Sequence, residues 1–196
     1  MLDVPSPTAD GESVELTCSY DLQDDKLYSV KWYKNGFEFY RYVPKDWPPA
    51  QFLKMAGIKG DVSRSDANRV YLKYVDLNSA GKYRCEISAE APSFNTAAAE
   101  KEMQVYVLPS EGPRVESSRN EYKPGDIVVA NCTSAKSKPP AKLNWYINDE
   151  SRNNEQEIEF STTLHADGLE MSSLSLRFRA LAKHFKNGVM VLKCTS

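Results

Sequence analysis

The chain has 196 residues, enough for two domains of about 100 residues each. A net charge of −2 and 41% hydrophobic residues exclude nucleic acid or an anionic membrane as the main partner, and also exclude wholesale disorder. No apolar run approaches the roughly 20 residues of a membrane span, and Met1-Leu2-Asp3-Val4-Pro5 lacks the basic start and apolar core of a signal peptide. Any leader or anchor is therefore expected outside this sequence.

In chain order, the first element signal is Gly11, a turn residue feeding an alternating strand in which Val14, Leu16 and Cys18 share one face. Next comes Trp32-Tyr33-Lys34-Asn35-Gly36, in which Asn35-Gly36 is a strong hairpin signal because both residues accept positive φ. With Trp32 turned inward, Lys31 and Tyr33 face outward. Phe39, taken as inward, then turns Glu38, Tyr40 and Tyr42 outward. Val70, Leu72 and Val75 precede Ser79-Ala80-Gly81-Lys82-Tyr83-Arg84-Cys85. There Tyr83, Cys85 and Ile87 read as inward, and Arg84, Glu86 and Ser88 as outward. The stretch Asn95–Met103 has helix propensity, but a helix of about nine residues is marginal given the cost of nucleation. We assign it to a loop and a closing strand, with Phe94 projecting from the loop. Leu108-Pro109-Ser110-Glu111-Gly112-Pro113 cannot continue a central strand, so the boundary falls there, between domains 1–108 and 109–196. Gly125 then repeats the role of Gly11, with Val128, Ala130 and Cys132 on one face, and Trp145-Tyr146 repeats Trp32-Tyr33.

Four cysteines, Cys18, Cys85, Cys132 and Cys194, allow three connectivities, and none lies in a C-x-x-C pair that would suggest a zinc or redox site. The tryptophans choose among them. Cys…Trp…Cys, with the indole packed on an inter-sheet disulfide, is the signature of the immunoglobulin sandwich, and it occurs twice here. The expected fold is all-β, with two tandem immunoglobulin-like β-sandwiches bridged by Cys18–Cys85 and Cys132–Cys194. Each bridge is worth roughly 4 kcal/mol in the chain-entropy model, and such bridges imply an oxidising, extracellular compartment. Gly36 to Asp66 leaves room for C′, C″ and D strands, so the first domain reads as variable-type. Tyr83 stands where a tyrosine corner bonds back to the turn before strand F, while Ser79 replaces the usual Asp and removes a customary salt bridge. The second domain has Leu192 at the corner position and reads as constant-like or intermediate. It reaches only two residues past Cys194, so its last strand is expected to lie outside the sequence.

Chemistry is sparse. His165 and His184 have no ligand-type partner at metal spacing, and there is no nucleophile motif or phosphate-cradling glycine loop, so no enzyme, metal site or cofactor is expected. Asp24-Asp25 reads as solvated loop charge. Lys136-Ser137-Lys138-Pro139-Pro140-Ala141-Lys142 and Arg177-Phe178-Arg179 offer basic runs for weak contact with acidic glycans, although such runs are usually solvated strands. Asn131-Cys132-Thr133 is an N-glycosylation triplet, and strand alternation turns Asn131 outward if Cys132 faces in.

The remaining signal is aromatic: Tyr28, Trp32, Tyr33, Phe37, Phe39, Tyr40, Tyr42, Trp47 and Phe52 exceed what one inner face holds. Tyrosine and arginine amid mixed charges suit a recognition surface. The run Leu27-Tyr28-Ser29-Val30-Lys31-Trp32-Tyr33-Lys34-Asn35-Gly36 leads into Glu38-Phe39-Tyr40-Arg41-Tyr42-Val43-Pro44-Lys45. With Pro48-Pro49-Ala50-Gln51, Val62-Ser63-Arg64-Ser65-Asp66 and Arg84-Cys85-Glu86-Ile87-Ser88-Ala89-Glu90-Ala91-Pro92-Ser93-Phe94, it resembles the beaten path (Beat) family of insect neuronal immunoglobulin proteins. Asn131-Cys132-Thr133-Ser134, Lys138-Pro139-Pro140-Ala141 and Asn144-Trp145-Tyr146-Ile147-Asn148 are similar to the same family, so the likeness covers nearly the whole chain. The resemblance implies a secreted or membrane-anchored protein of axon guidance and synaptic partner choice, binding Sidestep-family immunoglobulin receptors on apposed cells through its first domain. On that reading the docking residues are Lys31, Tyr33, Glu38, Tyr40, Tyr42, Arg84, Glu86 and Phe94 on the GFCC′ face of a protein that is monomeric alone. The alternatives are a homophilic adhesion protein using the same face and a glycan-binding guidance factor using the basic runs.

Overall fold

The structure, a computed structural model, describes residues 1–152 and 158–196. The chain divides into two compact units, Met1–Tyr106 and Val107–Ser196.

The first unit contains β1 (Leu2–Asp3), β2 (Thr8–Ala9), β3 (Val14–Cys18), β4 (Leu27–Lys34) and β5 (Phe37–Tyr42). It continues with β6 (Ala50–Phe52), β7 (Arg69–Leu72), β8 (Gly81–Ala89), β9 (Thr96–Met103) and β10 (Val105–Tyr106). A five-stranded sheet in the order β6-β5-β4-β8-β9 faces a smaller one in the order β1-β3-β7, and β2 pairs in parallel with β10. Strict alternation drives this arrangement. On β3, Val14, Leu16 and Cys18 are buried, and on β8 the same holds for Tyr83, Cys85, Ile87 and Ala89. All of these but Ala89 meet Trp32, Phe39, Val70 and Leu72 in one core, across which Cys18 and Cys85 are disulfide-bonded with their Cα atoms 6.4 Å apart.

The tyrosine corner is present, since the buried Tyr83 hydroxyl donates to the Ser79 carbonyl at 2.6 Å. Ser79, standing where a salt-bridging Asp is customary, is itself buried. Its Oγ donates to the Gly57 carbonyl at 2.6 Å and accepts from the Asp76 N–H at 2.9 Å. A neutral network thus replaces the ion pair.

One segment departs from expectation, and another follows it against its own helix propensity. The D strand is reduced to a single bridge between Gly60 and Leu72, followed by a 3-10 turn over Val62–Arg64. A Cβ at Gly60 would lie 2.1 Å from the Phe52 ring, so the chain passes too close to β6 for a regular strand of larger residues. Conversely, the helix-prone Thr96–Met103 is strand throughout, paired with β8 from Ser88↔Thr96 to Gly81↔Met103. A ladder that satisfies the backbone along eight residues outweighs the propensity of a helix too short to nucleate.

The second unit contains β11 (Arg114–Ser117), β12 (Ile127–Thr133), β13 (Asn144–Ile147), β14 (Glu150–Arg152), β15 (Ile158–Leu164), β16 (Glu170–Arg179) and β17 (Leu192–Thr195). Its sheets run β11-β12-β16-β15 and β14-β13-β17. Val128, Ala130, Trp145, Ile147, Leu174, Leu176 and Phe178 fill the space between them, and the Cys132–Cys194 disulfide joins β12 to β17. The Trp145 indole N–H donates to the Leu174 carbonyl at 2.8 Å, so its buried polar atom is satisfied across the core. Leu192, at the corner position, packs against this core instead of hydrogen-bonding to a turn.

Candidate functional site

The outer face of the five-stranded sheet is set by which β4 residues are inside. Val30 and Trp32 are fully buried, so Lys31 and Tyr33 emerge on the opposite face. Cross-strand register then fixes their neighbours: Lys31 lies opposite Arg41 on β5 and Glu86 on β8, while Tyr33 lies opposite Glu38 and Arg84.

These groups form one connected surface. The Arg41 Nε donates to Glu38 Oε1 at 2.6 Å, and Arg84 Nη2 donates to Glu86 Oε2 at 2.6 Å. The Tyr33 hydroxyl donates to Glu86 Oε1 at 3.4 Å, and the Arg84 guanidinium lies 5.7 Å from the centre of the Tyr33 ring. Partial burial pushes the Tyr33 phenol up from its ordinary value, and the Glu86 carboxylate beside it adds to the shift, so the hydroxyl stays a donor at neutral pH. The Glu38 and Glu86 side chains are 18% and 21% exposed, against 36% and 40% for Arg41 and Arg84. The acids are therefore held in place while the guanidinium groups face solvent.

Tyr40 and Tyr42 do not belong to this surface, contrary to the alternation expected from Phe39. Between Trp32 and Tyr33 the register of β4 against β5 shifts, so Trp32 opposes Tyr40 while Tyr33 opposes Glu38, leaving Phe39 as an extra residue. This bulge turns both Phe39 and Tyr40 inward. Tyr40 is fully buried, its ring 4.7 Å from that of Phe52 and its hydroxyl donating to the Asp66 carbonyl at 3.0 Å. Tyr42 lies opposite the buried Val30 and packs half-buried against the core. The position that faces out between them is Arg41, which sequence alternation missed. The available signal was the pattern Glu38-Phe39-Tyr40-Arg41, two bulky aromatics flanked by charges, which regular alternation cannot place with both charges outside.

At one end of the face the loop before β9 presents Phe94, 72% exposed and at φ 51. That conformation is unfavourable for a bulky residue. It is held by the Phe94 N–H donating to the Glu90 carbonyl at 3.2 Å and by Ser93 Oγ donating to Asp25 Oδ2 at 2.6 Å, which ties the loop to the one before β4. Phe94, the exposed Tyr28, Ala89, Ala91 and the Lys45–Glu90 ion pair line a shallow groove of about 380 Å³.

Several of the other candidates are occupied structurally. Lys136 pairs with Asp167 at 3.0 Å and Lys138 with Glu170 at 3.2 Å, so part of the basic run is neutralised. His184 is buried against Phe178, its Nδ1 accepting from the Leu181 N–H at 3.1 Å. Among the described residues no three potential metal ligands cluster. Asn131 lies on the outer side of β12 as alternation requires.

Residues 1–99 match the immunoglobulin domain family and residues 111–184 match the CD80-like C2-set immunoglobulin domain. The chain belongs to the immunoglobulin family. Synaptogenesis protein syg-1 of Caenorhabditis elegans is 27% identical to this immunoglobulin chain over 154 residues, 75% of the chain and 20% of that protein. The chain thus spans about a fifth of the length of that protein. Among solved structures, bovine butyrophilin superposes with a TM-score of 0.66 at 16% identity, covering 98% of this chain and 95% of that one. The Rst D1-D2 structure gives 0.64 at 16% identity over 99% and 89%. Murine CEACAM1b gives 0.62 at 17% identity over 97% and 87%. At these identities the likeness is one of fold, that of two immunoglobulin domains in tandem.

Proposed function

We propose that this immunoglobulin chain is an extracellular recognition module of the neuronal surface that docks through the outer face of β9-β8-β4-β5. Its partner is an immunoglobulin receptor of the Sidestep type, as the resemblance to the beaten path family implies. The match to a synaptogenesis protein supports a role in synaptic partner choice. The observation that carries the reading is the ordered surface of Lys31, Tyr33, Glu38, Arg41, Arg84 and Glu86, with Phe94 at its end. It combines a half-buried aromatic anchor, guanidinium groups facing solvent and carboxylates already in place. Tyrosine and arginine supply contact area and directional bonds at low ordering cost, and the interleaved charges set register and penalise a mismatched partner. Two intradomain disulfides support an oxidising, extracellular setting.

The test is surface plasmon resonance of the purified chain against immobilised Sidestep-type ectodomains. Tyr33→Ala is expected to cost about 2 kcal/mol, roughly 30-fold in Kd. Undiminished binding by Tyr33→Ala and by Arg84→Glu together would remove this face from the interaction, and no binding to any such ectodomain would remove the partner class.

A further inference from the structure

The docking role leaves one motif unused. Asn131-Cys132-Thr133 is the only Asn-x-Ser/Thr triplet in the sequence. Asn131 lies on β12 between the buried Ala130 and Cys132, so its side chain emerges on the outer surface of the sheet β11-β12-β16-β15. Its amide oxygen accepts from Ser173 Oγ at 2.9 Å and from Ser175 Oγ at 3.0 Å. Those two bonds hold the oxygen toward β16 and leave Nδ2, the atom to which a glycan joins, without a hydrogen-bond partner among the described residues. The register places the small Ser175 and Ser173 of β16 beside Asn131, with Glu159 and Ser161 beyond them on β15 and Glu116 on the other side on β11, and both glutamates are exposed. Further along the same side of β12, Val129 and Ile127 are 40% and 41% exposed, an apolar flank that a glycan would cover.

The finished sheet also bears on when such a modification can occur. The Asn131 backbone is paired on both sides, with Glu116 on β11 and with Ser175 on β16. An enzyme that must grip the triplet along its backbone cannot reach it there without stripping the central strand from its neighbours. The strand β16 and Cys194, the disulfide partner of Cys132, both follow Asn131 in the chain. β11 precedes the triplet, but during synthesis the triplet is exposed before β16 and Cys194, which complete its enclosure, exist.

We infer that Asn131 carries an N-linked oligosaccharide, attached before β12 is enclosed, which withdraws the outer face of the second domain from protein contact. In the transfer, Nδ2 forms a bond to C1 of the reducing-end sugar of a lipid-pyrophosphate-linked oligosaccharide. The C1–O bond to pyrophosphate breaks, the lipid pyrophosphate leaves, and the Nδ2 proton passes to a base of the transferase. The inference shares with the proposed function only passage through the secretory pathway.

The test expresses the chain behind a cleavable leader in mammalian cells, verifies both disulfides, and maps peptides after enzymatic deglycosylation in heavy-oxygen water. Residue 131 is expected as heavy-oxygen aspartate in the unaltered chain and in Thr133→Ser, but not in Asn131→Gln or Thr133→Ala. An unmodified Asn131 in secreted, disulfide-bonded protein would overturn the site while leaving the docking face untouched. For the timing, purified transferase and lipid-linked donor are offered to unglycosylated chain, either folded and oxidised or reduced and unfolded. Modification of the unfolded form alone is expected, and equal modification of both would overturn the order of events.

Discussion

Tyr33 and Tyr40 illustrate how differently two tyrosines a few residues apart are used. Tyr33 keeps its ring at the surface between Arg84 and Glu86, whereas Tyr40 spends its ring on Phe52 and its hydroxyl on the Asp66 carbonyl. Tyr40→Phe is therefore expected to lower stability by about 1 kcal/mol, the net worth of one hydrogen bond, and to leave affinity for a partner unchanged. Denaturant titration and surface plasmon resonance on the same sample separate the two effects. Asp61 supplies a pH dependence. Hydrogen bonds from Ser63 and then from Lys73 hold its carboxyl down at about 2 from 3.8. A carboxyl held below its unfolded value adds stability that is complete above the unfolded value and is lost as pH falls through the folded one. Asp61→Asn should accordingly lower Tm at neutral pH, with the difference from the unaltered chain shrinking between pH 3.8 and about 2. The exposed setting of the Lys73 pair makes the effect smaller at high salt.

At the level of elements, the turn before β8 depends on close backbone approach. Gly57 has φ +76, and a Cβ there would fall 2.3 Å from the Asn78 carbonyl carbon and oxygen. Backbone cannot yield as a flexible side chain can, and the Gly57 carbonyl also receives the Ser79 hydroxyl. Gly57→Ala is expected to destabilise the first domain by on the order of 1–3 kcal/mol, read as a lower urea midpoint at unchanged slope. The bulge between β4 and β5 is the other decisive local device. One extra residue, Phe39, reverses the parity of everything after it, and in doing so brings Arg41 to the surface and takes Tyr40 and Tyr42 away. Alternation carries no memory across such an insertion, which is why the inward and outward residues of β4 and β8 were legible and those of β5 were not.

For the whole molecule, each compact unit has its own core and its own disulfide. Replacing Cys132 and Cys194 together by serine should cost the second unit about 2–5 kcal/mol, visible as a lowered transition in calorimetry. The outer face of β9-β8-β4-β5 lies entirely within the first unit, so binding through it should persist at temperatures below that transition. Loss of affinity in the folded double variant would show that the second unit takes part in the contact.

The sequence alone determined the architecture, because Cys18, Trp32 and Cys85, then Cys132, Trp145 and Cys194, are large or covalent core groups whose spacing leaves few alternatives to paired sandwiches. It also placed Lys31, Tyr33, Arg84 and Glu86 together, since strict period-two alternation runs unbroken between a buried tryptophan and a buried cysteine on adjacent strands. Tertiary structure decided the strand identity of the alanine-rich β9, which exists because β8 offers it a ladder, and the composition of the β5 face, which depends on where one residue is extruded. Both are long-range pairing outcomes. Register between strands is an energy shared by two segments, and neither segment's own composition records it.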